Sequence, residues 1–248
     1  MRASAIEFRL RVVILFAIVL LGFYAPWLSI PGLDTMGIGQ RISLLEWLAL
    51  ELSRLGLVSF AAATPIVIVL ATLIAAAGAF LRICGTAYLD PRVVSSTQMH
   101  AGTVMASGPY RYVRNPLYLG GFFMIAAIAF AMPATGAALT LILAALFMFR
   151  LILGEEKFLA VKLGEPYQAY LRAVPRLFPR LRSTLPGGTQ KPHWLQSLLA
   201  EINPIGVLLV TAILWWRYDD GLVTRAFLIS FGLSLIVRAL RPAQATAQ

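Results

Sequence analysis

Six long apolar segments recur along the chain and limit the folds that it can adopt. A helix that crosses the hydrocarbon core of a bilayer needs about 20 mostly apolar residues. The candidate spans are 12–30, 57–81, 117–132, 134–153, 204–216 and 222–240, of which 204–216 is short. Composition agrees, since 59% of the 248 residues are apolar and 13% are charged. These properties exclude a soluble globular domain and a disordered chain. They predict an all-α integral membrane protein with about six transmembrane helices.

Basic residues predict how these helices are oriented. With six spans, 17 of the 21 lysines and arginines fall on the side that carries both termini, and four fall on the other. By the positive-inside rule, both termini are expected to be cytoplasmic. Two polar segments, 82–116 and 155–203, lie on that side and flank a helical hairpin at 117–153. We therefore expect the hairpin to bring the inner ends of the two segments together. The net charge of +10 suits an anionic membrane leaflet, and nucleic acid is not expected as a partner.

Composition also divides the chain into four parts. Residues 1–56 contain an N-terminal helix and an interfacial segment, in which 42–54 is interpreted as an amphipathic surface helix in preference to a seventh buried helix. Residues 57–182 form the predicted core domain, which contains the helical hairpin. The turn-rich stretch 183–192 is a linker, and 193–248 adds two helices whose role stays open. A count of 18 arginines against 3 lysines hints at a bacterial inner membrane.

Few residues are suited to redox or metal chemistry. Cys84 is the only cysteine, which excludes an internal disulfide and a multi-cysteine metal site. His100 and His193 are the only histidines, so no metal centre is predicted. His100 lies in the first polar segment and is a candidate for cofactor contact or for a base. The competing interpretation is that a lone loop histidine does neither.

The first polar segment ends in a basic and aromatic motif, SGPYRYVRNPLYLG at 107–120. Its glycine-proline pair predicts a turn, and Pro116 fits the first turn of the following helix. The N-terminus of that helix carries free N–H groups and partial positive charge, and Arg111 and Arg114 add two cations. A carboxylate or phosphate would fit there. The alternative is that these arginines only follow the positive-inside rule and that the tyrosines are interfacial anchors.

The second motif is the pair Glu155-Glu156, directly after the predicted span 134–153. Neighbouring carboxylates repel each other, and the repulsion grows in a low dielectric. They also point about 100° apart on a helix, so they cannot share one face. A charged pair at a membrane boundary is a functional candidate, whereas the alternative is a solvated helix start. Arg150, about one turn earlier, is expected either to pair with Glu155 or to face the substrate.

The two motifs together resemble the membrane methyltransferases that include isoprenylcysteine carboxyl methyltransferase and phospholipid N-methyltransferases. In that family, Gly-x-Tyr-x-x-x-Arg-His-Pro-x-Tyr-x-Gly precedes a helical hairpin, and Glu-Glu-x-x-Leu-x-x-x-Phe-Gly-x-x-Tyr-x-x-Tyr follows it. The first pattern is matched by Gly108, Tyr110, Arg114, Pro116, Tyr118 and Gly120, and the second by Glu155, Glu156, Leu159, Gly164, Tyr167 and Tyr170. The resemblance covers roughly 81–179. Asn115 stands where the family has histidine, and Leu163 where it has phenylalanine.

The resemblance implies S-adenosylmethionine as cofactor and cytoplasmic loops that bind it. The residues assigned to this cofactor are His100, Tyr110, Arg111, Arg114, Asn115, Pro116, Leu117, Tyr118, Glu155 and Glu156. Arg150 and Glu156 are the candidate catalytic residues, with Arg150 near the acceptor. The acceptor is expected to be lipophilic and to reach the site from the bilayer.

Asn115 bears on the type of acceptor. An amide donates and accepts hydrogen bonds but does not take up a proton near neutral pH. A carboxylate or thiolate acceptor needs no base, whereas an ammonium must first lose a proton. The sequence therefore favours a carboxylate or thiol over an amine. Two alternatives are a membrane reductase of the sterol-reductase type that uses NADPH and a non-enzymatic membrane protein. The paired glutamates argue against the former, because NADPH is polyanionic.

Overall fold

The computed structural model describes residues 3–24, 42–89, 107–183, 185–186, 188 and 190–240. The helices in these ranges are α1 Ala5–Arg9, α2 Arg11–Phe23, α3 Leu44–Arg54, α4 Phe60–Ala87, α5 Pro116–Ala129, α6 Ala134–Leu163, α7 Glu165–Ala173, α8 Trp194–Ala200, α9 Ile202–Leu209 and α10 Asp220–Leu240. Short 3₁₀ and π turns complete the secondary structure, and none of these residues belongs to a β-strand. The predicted all-helical architecture is confirmed.

Three helices are long and apolar enough to cross a membrane, namely Phe60–Ala87, Ala134–Leu163 and Asp220–Val237. A bent pair, Trp194–Ala200 and Ile202–Arg217, makes a fourth if its arms form one span across their 68° bend. Helices α2 and α5 are apolar but shorter. The described residues thus support an integral membrane protein with three or four candidate spans. The count of six stays a prediction.

Several predicted helix boundaries differ from the structure, and α4, for example, ends at Ala87 instead of residue 81. The first predicted span runs to residue 30, but α2 ends at Phe23 and residues 25–30 lie outside the described ranges. The interpretation of Glu155-Glu156 as a helix start is wrong, because α6 runs without a break from Ala134 to Leu163. Gly154 lies against the backbone of Ala3 and does not end the helix. Both glutamates therefore sit well inside a 30-residue helix.

Helices α5 and α6 form the predicted hairpin, and α4 lies alongside α5. Glycines allow this close approach, since a Cβ atom at Gly120 would lie 2.8 Å from the carbonyl oxygen of Gly78. A Cβ atom at Gly85 would lie 2.8 Å from Cδ2 of Leu117. The first turn of α5 is consequently held against the last turns of α4. That turn carries part of the first motif.

The hairpin turn marks the end of the molecule opposite the motifs. Backbone N–H groups of Leu44 and Leu45 donate to the carbonyls of Met132 and Phe130 at this turn, 2.7 and 3.0 Å away. Helix α3 therefore packs there with Leu45 buried, whereas Leu50 on its other face is 45% exposed. This agrees with an amphipathic helix rather than one buried on all sides.

The C-terminal helices share one hydrophobic core with the hairpin side of the molecule. Trp215, which follows α9, is buried with edge contacts to Phe130 and to Phe227 of α10, at 6.3 and 6.2 Å between ring centroids. Ile68 of α4 and Val207 of α9 belong to the same cluster. Residues after the predicted linker thus pack directly on the predicted core.

Candidate functional site

The two sequence motifs meet at the end of the molecule away from the hairpin turn. The first motif forms a 3₁₀ turn at Gly108–Arg111 and then begins α5 with Pro116 in its first turn. Gly108 has φ +54°, and a Cβ atom there would overlap the ring of Tyr88. Only glycine fits this position without strain. The turn therefore lies directly against the end of α4.

Backbone and side-chain hydrogen bonds tie this turn to the segment after α7. The N–H of Arg114 donates to the carbonyl of Pro175 at 2.9 Å, and the N–H of Arg180 donates to the carbonyl of Tyr112 at 3.0 Å. The hydroxyl of Tyr170 donates to the carbonyl of Tyr110 at 2.8 Å. The expectation that the hairpin brings the two polar segments together agrees with these contacts.

The place where the two motifs meet is called the junction below. Glu156 lies at its centre and is only 6% exposed. Its Oε1 lies 3.0 Å from Nη1 of Arg114 and accepts from Nδ2 of Asn115 at 3.3 Å. Its Oε2 accepts from Nη2 of Arg176 at 2.8 Å. The Glu156 hydrogen bond raises the pKa of Arg176, so this guanidinium stays charged. Two cations thus compensate this buried carboxylate, as a buried ion requires.

Glu155 has different surroundings. Its Oε2 accepts a hydrogen bond from the hydroxyl of Tyr118 in the first turn of α5, at 2.9 Å. The two carboxylates therefore face different partners, as their helical spacing requires. Glu156 joins the basic loop, and Glu155 faces the first turn of α5. The repulsion expected from the sequence is relieved differently at each position.

Arg111 and Arg114 each keep a buried polar atom without a partner. Nη2 of Arg111 donates to the carbonyl of Leu185 at 2.6 Å, and Arg114 binds Glu156. The Nε atom of each arginine is buried and has no hydrogen-bond partner among the described residues. Buried donors without acceptors are costly, so they indicate a place where an anion can bind.

Three tyrosines line the same region. Tyr110 is 9% exposed, and the rings of Tyr167 and Tyr170 contact each other at 5.8 Å between centroids with their planes tilted by 38°. Burial first, and then the negative charge of Glu155, raises the pKa of Tyr110. Burial likewise raises the pKa of Tyr167 and of Tyr170. Their hydroxyls are therefore neutral hydrogen-bond donors at physiological pH.

Arg150 forms an ion pair with Glu7 of the N-terminal helix. Its Nη2 donates to Oε1 of Glu7 in α1 at 2.7 Å, and both side chains are about one third exposed, 33% and 30%. The carbonyl of Arg150 also accepts from the N–H of Ala3 at 3.1 Å. The N-terminal helix is thereby anchored beside the site. The contact of Arg150 with the acceptor stays a prediction.

Two further residues bear on the sequence predictions for this site. His100 lies outside the described residues. Arg176 is not among the predicted site residues, although it closes the second motif and donates to Glu156 at 2.8 Å, compared with 3.3 Å for Asn115. Within the ranges that the structure covers, no three His, Cys, Asp or Glu side chains gather in a group that could hold a metal.

The fold and this site define a helical membrane protein with a polar centre at one end of a hairpin. The family model of phospholipid methyltransferases matches residues 58–165. This segment, which contains both motifs up to α7, therefore belongs to the membrane methyltransferase family of the isoprenylcysteine carboxyl and phospholipid methyltransferase type, and the resemblance is confirmed. No curated protein and no solved structure matches the chain.

Proposed function

We propose that this protein is an S-adenosylmethionine-dependent methyltransferase that acts on a lipophilic acceptor at the cytoplasmic face of a membrane. The observation that carries the proposal is the junction where Glu156 binds Arg114 and Arg176 while Glu155 binds Tyr118. This junction lies at the open end of a hairpin, and all of its residues except Arg176 lie within the segment that matches the methyltransferase family. A metal-independent group transfer by alignment and binding fits these residues.

The polar groups of the junction fit the charges of S-adenosylmethionine, which carries a carboxylate, an ammonium and a sulfonium. The unpartnered Nε atoms of Arg111 and Arg114 would gain an acceptor from the carboxylate, close to the N-terminus of α5. Tyr110 and Tyr118 offer aromatic surfaces for the adenine. Pro116 and Leu117 form the turn between these groups, and His100 stays a predicted contact.

The two glutamates support different roles. Glu156 is compensated by Arg114 and Arg176, so its role is to hold the basic loop in place. Glu155 receives a hydrogen bond from a neutral phenol and is the carboxylate expected to face the positive charge of the cofactor. The bound cofactor supplies an electrophilic methyl group, and the protein's part is to orient it and to exclude water.

Asn115 supports an acceptor that is already a nucleophile. Its Nδ2 donates both to Glu156, at 3.3 Å, and to the carbonyl of Arg176, at 3.2 Å. The side chain thus binds the two motifs together and supplies no base. A carboxylate or thiolate acceptor is favoured over an amine for this reason. A carboxylate would compete with Glu7 for Arg150, which is one third exposed.

Calorimetric binding in detergent tests the proposal, with S-adenosylhomocysteine as the probe and NADPH beside it. We expect micromolar binding of S-adenosylhomocysteine and its loss in Glu155→Gln. The matched control is Glu165→Gln, because Glu165 is a carboxylate on α7 whose side chain is 75% exposed and paired with Arg172. This control should bind as the wild type does. Binding of NADPH alone would indicate a reductase, and binding of neither probe would favour a non-enzymatic protein.

A further inference from the structure

The C-terminal helices reach the end of α4 that faces the proposed site. The N–H of His193 donates to the carbonyl of Ala87 at 2.8 Å, and the hydroxyl of Ser197 donates to the carbonyl of Ile83 at 2.6 Å. The carbonyl of Ala87, in the last turn of α4, would otherwise lack a helical partner. These helices lie beyond residues 58–165, the segment that matches the family. Their contacts with α4 therefore come from outside the segment that matches the family.

Glu201 is the most deeply placed charge of these C-terminal helices. It lies at the bend between α8 and α9 and is 2% exposed. Its carboxylate accepts from Nε and Nη2 of Arg82, at 2.5 and 3.0 Å, and from the hydroxyl of Thr86 at 2.6 Å. A buried carboxylate is tolerated only when it is paired and hydrogen-bonded in this way.

Arg82 in turn lies across the first turns of α5. Its Nη1 is 3.4 Å from the carbonyl oxygen of Leu117, which precedes Tyr118. Its Cγ would be 2.7 Å from a Cβ atom at Gly120, so only glycine leaves room for the arginine. The hydrogen bonds from the Arg82 guanidinium to Glu201 thus determine the position of Arg82 against α5.

The charges of Glu201 and Arg82 also affect the pKa of Tyr110 in the first motif. Besides burial, the charges of Glu155 and Glu201 raise the pKa of Tyr110, and that of Arg82 lowers it. The Arg82–Glu201 pair and Glu155 therefore act electrostatically on the same buried tyrosine.

We propose that the C-terminal helices complete the cofactor site, with Glu201 as a positioning residue that acts through Arg82 on the first turn of α5 and so on Tyr118. This inference rests on the proposed function. It predicts that the charge on Glu201 affects cofactor binding although its carboxylate binds only Arg82 and Thr86 among the contacts described here. A purely structural ion pair would affect stability alone.

The test compares S-adenosylhomocysteine affinity and thermal unfolding for the full-length protein and three variants, with all binding measured well below the unfolding temperatures. Glu201→Gln should weaken binding by about tenfold, because small misplacements of a binding turn are costly. Ser197→Ala is the control, since Ser197 docks the same helices on α4 without touching the ion pair. It should lower the unfolding temperature and leave the affinity within about twofold. Thr86→Val removes one donor to Glu201 and should weaken binding by a smaller factor.

A double-mutant cycle with Tyr118→Phe separates positioning from a general loss of structure. If Glu201 acts through the turn that carries Tyr118, the two effects on affinity are coupled, and the double variant loses less than the product of the single losses. Unchanged affinity in Glu201→Gln, or independent effects, would overturn the inference and leave the proposed function intact. If Glu201→Gln does not fold, Thr86→Val is judged by the same criteria. A wild-type protein that does not bind S-adenosylhomocysteine would overturn both proposals.

Discussion

Neighbouring glutamates in this protein have opposite surroundings, although they differ by one position in the chain. Glu156 is buried among two arginines and an amide, and Glu155 meets a tyrosine hydroxyl. The reason is the rotation of about 100° per residue along α6. One carboxylate therefore organises the loop, and the other is proposed to bind the cofactor.

This difference predicts unequal effects on stability. Glu156→Gln leaves Arg114 and Arg176 with uncompensated charge, and we expect a loss of about 2 kcal/mol. That value is below the roughly 3–5 kcal/mol typical for breaking a buried ion pair. The reason is that the Arg176 side chain is 36% exposed, so solvent partly screens its charge. Glu155→Gln still accepts from Tyr118 and should unfold at nearly the wild-type temperature. Thermal unfolding in detergent measures both, and equal losses would contradict the assigned roles.

Asn115 fits its place because one amide nitrogen donates twice, to Glu156 and to the carbonyl of Arg176. Asn115→Asp would remove both donors and put a second carboxylate beside Glu156. We expect a loss of about 3 kcal/mol at neutral pH, because the new charge is buried and repelled. Asn115→Ala is the uncharged control.

The loss of stability in Asn115→Asp should depend on pH. We expect burial and the charge of Glu156 to raise the pKa of the introduced carboxyl above its unfolded value, against the opposing effect of Arg114 and Arg176. The penalty is therefore present above that pKa and decreases as the pH falls and the carboxyl takes up a proton. Unfolding temperatures at pH 7.5 and 5.5 should converge toward the Asn115→Ala value. A deficit that does not change between the two pH values would contradict the proximity of the two carboxyl groups.

At the scale of elements, the close contact of α4 with α5 places the first motif. Gly120 is the last glycine of that motif, and its missing Cβ leaves room for the carbonyl of Gly78 and for Arg82. Its presence in the motif thus has a packing explanation. Helix α6 adds the second constraint, because its length carries Glu155 and Glu156 back to the start of α5.

Gly120→Ala should separate these helices. The added Cβ would lie 2.8 Å from a backbone oxygen that cannot move aside, and we expect a loss of about 1–3 kcal/mol from overpacking. Gly121→Ala is the matched control, since its nearest neighbour is the flexible end of Met148 at 3.3 Å. It should be tolerated. Similar unfolding temperatures for the two variants would show that the α4–α5 contact is looser than described.

At the scale of the whole molecule, the site should lie at the cytoplasmic face. The basic residues predict both termini on that side, whereas three or four spans are supported by length and composition. An even number of spans keeps the two termini together, and an odd number separates them.

Reporter fusions decide between these possibilities. Alkaline phosphatase fused after residue 248 should be inactive and green fluorescent protein there should fluoresce, because the C-terminus is expected in the cytoplasm. A phosphatase fusion after residue 219, in the predicted outer loop, should be active and serves as the control. An active phosphatase at the C-terminus would contradict the predicted orientation.

The amino-acid sequence alone was sufficient for the all-helical membrane class, the hairpin and the family of the segment 58–165. These properties depend on composition, on helix-length apolar runs and on motifs with fixed spacing, which are local in the chain. The meeting of the two motifs followed from the hairpin between them. The end of a helix was less predictable, because α6 continues through Gly154 into the polar segment.

Only the tertiary structure decided which charges pair. Arg176 binds Glu156 across 20 residues, Arg82 binds Glu201 across 119, and Arg150 binds Glu7 across 143. A sequence shows that a chain carries arginines near its helix ends, but many carboxylates are possible partners for each one. The choice depends on which helices pack together, and in this protein glycine contacts and the bend after α8 determine that packing.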